Sequence, residues 1–297
     1  MLRGAVDDLP IWLILVVVVA AIVGLVLLLV WLIRRLVPAV EEGFDAEVAS
    51  QMLGVVAALF GLLLAFIIVI AYENYSDAQS NVTSEADALA AIVRDSGAFQ
   101  PTEGDRVRAS IGAYVRTVAE DEWPRMREGH DSAQAWEDVD GIFAVLQGVE
   151  PNSPSAVAFY DDAVRQLNVA LDARRNRLDD TAGGLPWVIG ALLFVGSLVI
   201  VGYAVLIGSR SFWFHAFGAG AIAVVIGMSL VVLVALLYPF SGDLAIDPEP
   251  FRSGSLAQFF GACVRTWTSR LPLVQMTDTP PYFLGFIAVW TVRGQRA

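Results

Sequence analysis

The sequence predicts an all-α integral membrane protein, with four transmembrane helices and a helical water-soluble domain inserted between spans 2 and 3. Three observations carry this. Apolar residues make up 56% of the 297 residues, above the roughly 45–50% of soluble domains, and the mean hydropathy is +0.61. The apolar excess sits in four uncharged blocks. The charged stretch between the second and third blocks has helical periodicity and no strand pattern.

The first block, Ile11 to Ile33, carries no charge. At 1.5 Å per residue it reaches about 34 Å, enough for a hydrocarbon core of about 30 Å. It is too long for the apolar core of a cleaved leader and no Ala-x-Ala site follows it, so it reads as a span. Trp12 and Trp31 mark its ends, and Arg34 and Arg35 stop it. The second span runs from about Met52 to Tyr72, the third from Leu185 to Ile207, and the fourth from Phe214 to Leu237. Tyr238-Pro239 ends the fourth, because proline removes a backbone donor. Backbone groups in lipid must be satisfied internally, so each span is a helix. The apolar stretch Tyr282 to Val292 is too short to cross. The chain thus divides into 1–72 (spans 1 and 2), 73–184 (helical soluble domain), 185–251 (spans 3 and 4 with a Pro-Phe motif) and 252–297 (an atypical tail, where acids nearly vanish).

Within 73–184 the second span continues as a helix to about Gly97, with Ala88, Ala91 and Ile92 on one face. Thr102 and Asp105 resemble a capping box, starting a helix that Trp123-Pro124 ends. A helix over Ser132 to Gln147 follows. Another begins with Ser153 as N-cap and Pro154 in its first turn, and carries Val157, Val164, Leu167 and Leu171 as its apolar face. Gly183-Gly184 is the hinge into the third span.

Small residues recur every fourth position in two spans: Ala57, Gly61 and Ala65 in the second, Ala219, Ala223 and Gly227 in the fourth. They allow close helix approach, either inside one bundle or between subunits around a pore. An even span count puts both termini and the soluble domain on one side. Arg34, Arg35 and Arg210 in the short loops favour those loops inside, while Arg174, Arg175 and Arg177 beside the third span favour the reverse. The side of the cell membrane on which the domain lies stays open.

The chemistry is sparse. The net charge is −12, which disfavours nucleic acid as a partner. Cys263 is the sole cysteine, so neither an internal disulfide nor a cysteine zinc site is available. No phosphate loop, nucleophile elbow or metalloprotease motif occurs, and no catalytic or cofactor-binding residue is nominated. His130 reads as a solvated loop residue and His215 as an interfacial one. The runs Glu120-Asp121-Glu122, Asp161-Asp162 and Asp179-Asp180 read as solvated faces, or as carboxylate rings at a pore mouth once subunits assemble. Trp123 and Phe240 read as anchors at the membrane surface. The spans contain no charged residue, which argues against a pump or coupled carrier but not against a channel.

Several segments together resemble the bacterial bestrophin-like proteins, a four-span family. They are Tyr72-Glu73-Asn74-Tyr75-Ser76-Asp77-Ala78 with Glu85-Ala86 and Leu89, Glu122-Trp123-Pro124 with Met126 and Gly129, the Arg174 to Leu178 run before Leu185-Pro186, and Tyr238-Pro239-Phe240-Ser241-Gly242. The resemblance covers about residues 45–251. It singles out Glu73, Tyr75, Asp77, Glu85, Glu122, Trp123, Pro124, Arg177, Pro239 and Phe240. It implies a homo-oligomeric ion channel whose second span lines a central pore, with the lipid bilayer, further copies of the chain and an inorganic ion as partners. It also implies a calcium role for acids after the last span, where Asp243, Asp247 and Glu249 stand. The second span departs from the bestrophin pattern in showing no regular aromatic constriction. The alternative is a non-catalytic membrane-anchored helical scaffold or sensor that binds a partner.

Overall fold

The computed structural model describes residues 11–36, 46–206, 212–242 and 244–261. Nearly all of them belong to one compact unit, Met1–Phe259. The described residues form helices and connecting turns, with no strand among them. In chain order the α-helices are α1 (Ile11–Leu36), α2 (Ala46–Asp95), α3 (Pro101–Thr117), α4 (Trp123–Arg127), α5 (Ala133–Gln147), α6 (Pro154–Ala182), α7 (Trp187–Leu206), α8 (Phe212–Leu237) and α9 (Glu249–Arg252). Three helical stretches are long and apolar enough to cross a membrane: Val48–Ala98, Trp187–Leu206 and Phe212–Leu237. The apolar stretch Val19–Leu32 within α1 is shorter. The expectations on Asp243, Arg210, Cys263 and Tyr282 to Val292 lie outside the described residues.

The 50 residues of α2 reach about 75 Å at 1.5 Å per residue, more than twice a hydrocarbon core. Its apolar first half packs with α7 and α8. Phe60 lies across Gly196 of α7, where an added Cβ would meet the ring at 2.5 Å, so only glycine permits this crossing. Its charged second half carries α6 along its length. The buried apolar residues of α6 are Ala156, Ala163, Leu167, Ala170 and Ala173, against Ala78, Val82, Leu89 and Val93 among those buried on α2. Helix separation is set by side-chain size at the contact, and alanines bring these two close. The apolar face read from the sequence is therefore shifted: Val157 is 44% exposed, and Val164 and Leu171 are half-buried.

Two helix boundaries also differ from the reading. Gln100 is the N-cap of α3, with no side-chain cap, because Pro101 takes the first turn. Asp105 instead pairs with Arg108 at 2.8 Å. Trp123-Pro124 does not stop the helix. The backbone widens into a π turn over Val118–Glu122 and continues as α4, with the proline in the first turn where it needs no donor. Ser132 and Ser153 do cap α5 and α6, accepting from Ala135 N and Ala156 N. Packing runs past residue 251. Leu256 is buried, and Phe259 lies so close to Gly112 of α3 that a Cβ there would sit 2.6 Å from its ring.

Candidate functional site

Behind the outer half of α2 lies a fully buried charge network. Arg174 and Arg177, one turn apart on α6, meet Glu85 of α2 and Glu122 of the π turn, all four completely buried. Arg177 donates to Glu85 Oε2 through Nε at 2.7 Å and to Glu85 Oε1 through Nη2 at 3.1 Å. The same Nη2 reaches Glu122 Oε2 at 2.9 Å. Arg174 grips Glu122 with both terminal nitrogens, at 2.9 and 2.7 Å. The Tyr114 hydroxyl donates to Glu85 and accepts from Arg174 at 3.0 Å. Aromatic rings cover the cations: Trp136 lies 4.6 Å from Arg174, Trp123 5.2 Å from Arg177.

Two guanidiniums balance two carboxylates, so the cluster buries no net charge. Burial alone would push both arginines down, but Tyr114 and Glu122 reverse this for Arg174, and Glu85 and Glu122 for Arg177. Both are raised and stay charged. Burial, then the Glu85 charge, holds the Tyr114 phenol well above its ordinary range, so it remains a donor. Glu122 is thus no solvated acid of a surface run. The π turn, by widening the helix, places it between both arginines. Tyr114 and Arg174 were not read as members of a polar site. The available signal was two arginines spaced i, i+3 beside an alanine face.

Trp123 is likewise no membrane-surface anchor. It is 4% exposed, donates from Nε1 to Ile246 O at 3.0 Å, and meets Phe240 and Phe251 edge-on at 5.8 Å. Phe240 is buried, and Pro239 O accepts from Ile246 N at 2.8 Å. Tyr75 donates to Leu244 O at 2.9 Å. Residues 122 and 123 therefore join α2 and α6 to the chain leaving α8. Pro124 is exposed. His130 is exposed as read, whereas His215 is buried, with Nε2 3.1 Å from Ala204 O near the end of α7.

The opposite side of α2 carries one exposed stripe. Val55, Leu59, Leu62, Phe66 and Val69 follow at i+3 or i+4 spacing and are 52–65% exposed. The series continues without changing face through Glu73, Asp77, Ser80, Ser84 and Asp87, all exposed. At 1.5 Å per residue it is about 48 Å long. No arginine interrupts it. Phe66 is its single aromatic.

The small-residue candidates separate. Ala219, Ala223 and Gly227 of α8 are buried, the first two in a cluster with Val26 and Val30 of α1. Gly227 faces Ile22, which a Cβ would meet at 2.7 Å. Ala57, Gly61 and Ala65 instead line a groove of about 490 Å³ with Ala221, Val225 and Ser229 of α8, and Gly61 has nothing within 4 Å of an added Cβ.

Asp247 and Glu249 are exposed and line a second groove with Asp87. Among the described residues no three carboxylate, histidine or cysteine side chains are placed to hold a metal.

A family model described as Bestrophin-like domain matches residues 20–251. Two crystal structures of a bacterial bestrophin homologue from Klebsiella pneumoniae, each with one mutation, share the fold. They superpose with TM-scores of 0.63 and 0.61 at 11% and 13% identity, covering 83% and 84% of this chain and 99% of theirs. Comparison with curated protein sequences yields no significant match.

Proposed function

The chain belongs to the bestrophin-like family, and from that premise we propose that it is a homo-oligomeric, cation-preferring ion channel of the cell membrane. The stripe on α2 carries this reading. One face of a single helix stays exposed from an apolar half into an acidic half. Copies arranged around a shared axis turn that face inward. Val55 to Val69 then form a narrow apolar passage, which gates by dewetting, and Glu73, Asp77 and Asp87 form carboxylate rings that concentrate cations.

In this reading α1, the first half of α2, α7 and α8 are the four spans, and residues 73–184 are the water-soluble insert. Trp187, Phe194, Trp213 and Phe217, 69–81% exposed, face lipid. The groove beside Gly61 lies next to the stripe, so Ala57, Gly61 and Ala65 serve contacts between copies rather than the passage itself. Ala219, Ala223 and Gly227 serve packing within one copy.

The test is ion flux through purified protein in liposomes, with cation and anion gradients applied separately. Cation flux that falls when Glu73 and Asp77 are changed to Gln and Asn supports the proposal. No flux at any pH, calcium level or voltage, or a strictly monomeric protein, overturns it in favour of the membrane-anchored scaffold.

A further inference from the structure

We propose that Glu85 is a positioning residue of the ion path, setting the rotation of α2 about its own axis so that Ser84 and Asp87 face the shared passage. The inference rests on the channel reading above.

At about 100° per residue, Glu85 lies about 120° around α2 from Glu73, whereas Ser84 and Asp87 fall within about 40° of it. Any roll of the helix at this level therefore moves the two lining residues and Glu85 together. The buried neighbours of Glu85 on α2 include Ala78, Val82, Ala86, Ala88 and Leu89, and the facing side of α6 is rich in alanine. Such contacts are small and non-directional, so they fix the roll angle less sharply than a two-point ion pair does. Glu85 supplies direction. Both of its oxygens are gripped by Arg177, and Tyr114 and Glu122 fix the same cluster from two further elements. Paired guanidinium–carboxylate bonds add geometric specificity as well as energy. Other directional ties of outer α2 are weaker: Asn81 to Asp180 at 3.2 Å is half-buried, Ser255 to Ala90 O is long at 3.5 Å, and Tyr75 to Leu244 is exposed.

The test compares wild type with Glu85→Asp and Tyr114→Phe, each purified, sized for oligomer content and measured for cation-to-anion permeability ratio. Glu85→Asp keeps the charge balance but shortens the tie by one methylene. Tyr114→Phe removes two hydrogen bonds, the one given to Glu85 and the one taken from Arg174, and leaves no buried charge unpaired. The expected result is wild-type oligomer with a ratio lowered by about twofold or more in Glu85→Asp, and a smaller fall in Tyr114→Phe. A purely structural role lowers melting temperature and yield but leaves the ratio of assembled protein unchanged. An unchanged ratio in assembled Glu85→Asp overturns the proposal. So does an unchanged ratio in Tyr114→Phe if Glu85→Asp does not assemble. Absence of flux in the wild type is a separate outcome, and overturns the channel reading on which this one stands.

Discussion

Arg177 of α6 holds Glu85 of α2 through two nitrogens, at 2.7 and 3.1 Å, with both side chains wholly buried. Residues 92 positions apart in sequence thereby tie the long helix to α6. Arg177→Met leaves Glu85 and Glu122 without their shared cation. It is expected to destabilise the protein by about 3–5 kcal/mol. Thermal unfolding in detergent measures this, and a cycle with Glu85→Met yields a coupling of about 0.5–3 kcal/mol.

Trp123 has two roles that substitutions separate. Trp123→Phe keeps most of the packing against Phe240 and Phe251 but leaves Ile246 O without its donor, at about 1–3 kcal/mol. Trp123→Ala adds a cavity and costs about 3–5 kcal/mol in all. Equal losses for the two variants in denaturant unfolding contradict this division.

The glycines of the spans respond differently. Gly196→Ala forces a methyl to within 2.5 Å of the Phe60 ring, and is expected to cost about 1–3 kcal/mol in the protomer. Gly61→Ala meets nothing in the protomer. It leaves unfolding unchanged, and any effect appears in the oligomer fraction by size-exclusion chromatography with light scattering.

Leu59→Ser places a hydroxyl on the apolar part of the exposed stripe. It is expected to wet the passage and raise conductance on the order of two- to tenfold, with little change in unfolding, since Leu59 is 65% exposed. Planar-bilayer recordings of the two proteins decide this.

Asp180 carries a pH-dependent prediction. Burial raises its pKa above the ordinary 3.8, Asn81 lowers it, and Asp179 and Asp77 raise it again. Because the folded value is the higher one, its stabilising contribution is complete below 3.8 and is lost as pH rises through the raised value. At neutral pH the ionised carboxylate is therefore unfavourable. Asp180→Asn keeps an oxygen for Asn81 and is expected to raise the melting temperature at pH 7, with the gain vanishing below about pH 4.

The all-helical class and the long apolar segments are legible in the sequence alone. Apolar length without charge marks candidate spans, and Ser132, Ser153 and the Gly183-Gly184 pair mark helix ends, because both signals depend on residues near in sequence. The resemblance singles out Glu85, Glu122 and Trp123, but not the buried contacts they make. Long-range packing buries Glu122 and leaves Glu120 of the same acidic run exposed. The same long-range packing places Trp123 inside, and leaves Leu59, Leu62 and Phe66 exposed on one face of α2 while Gly61 is exposed on another, beside the groove. The reason is physical. A uniformly apolar span has no polar face to orient it by pattern, and a charged side chain is buried only where a distant partner of opposite charge meets it.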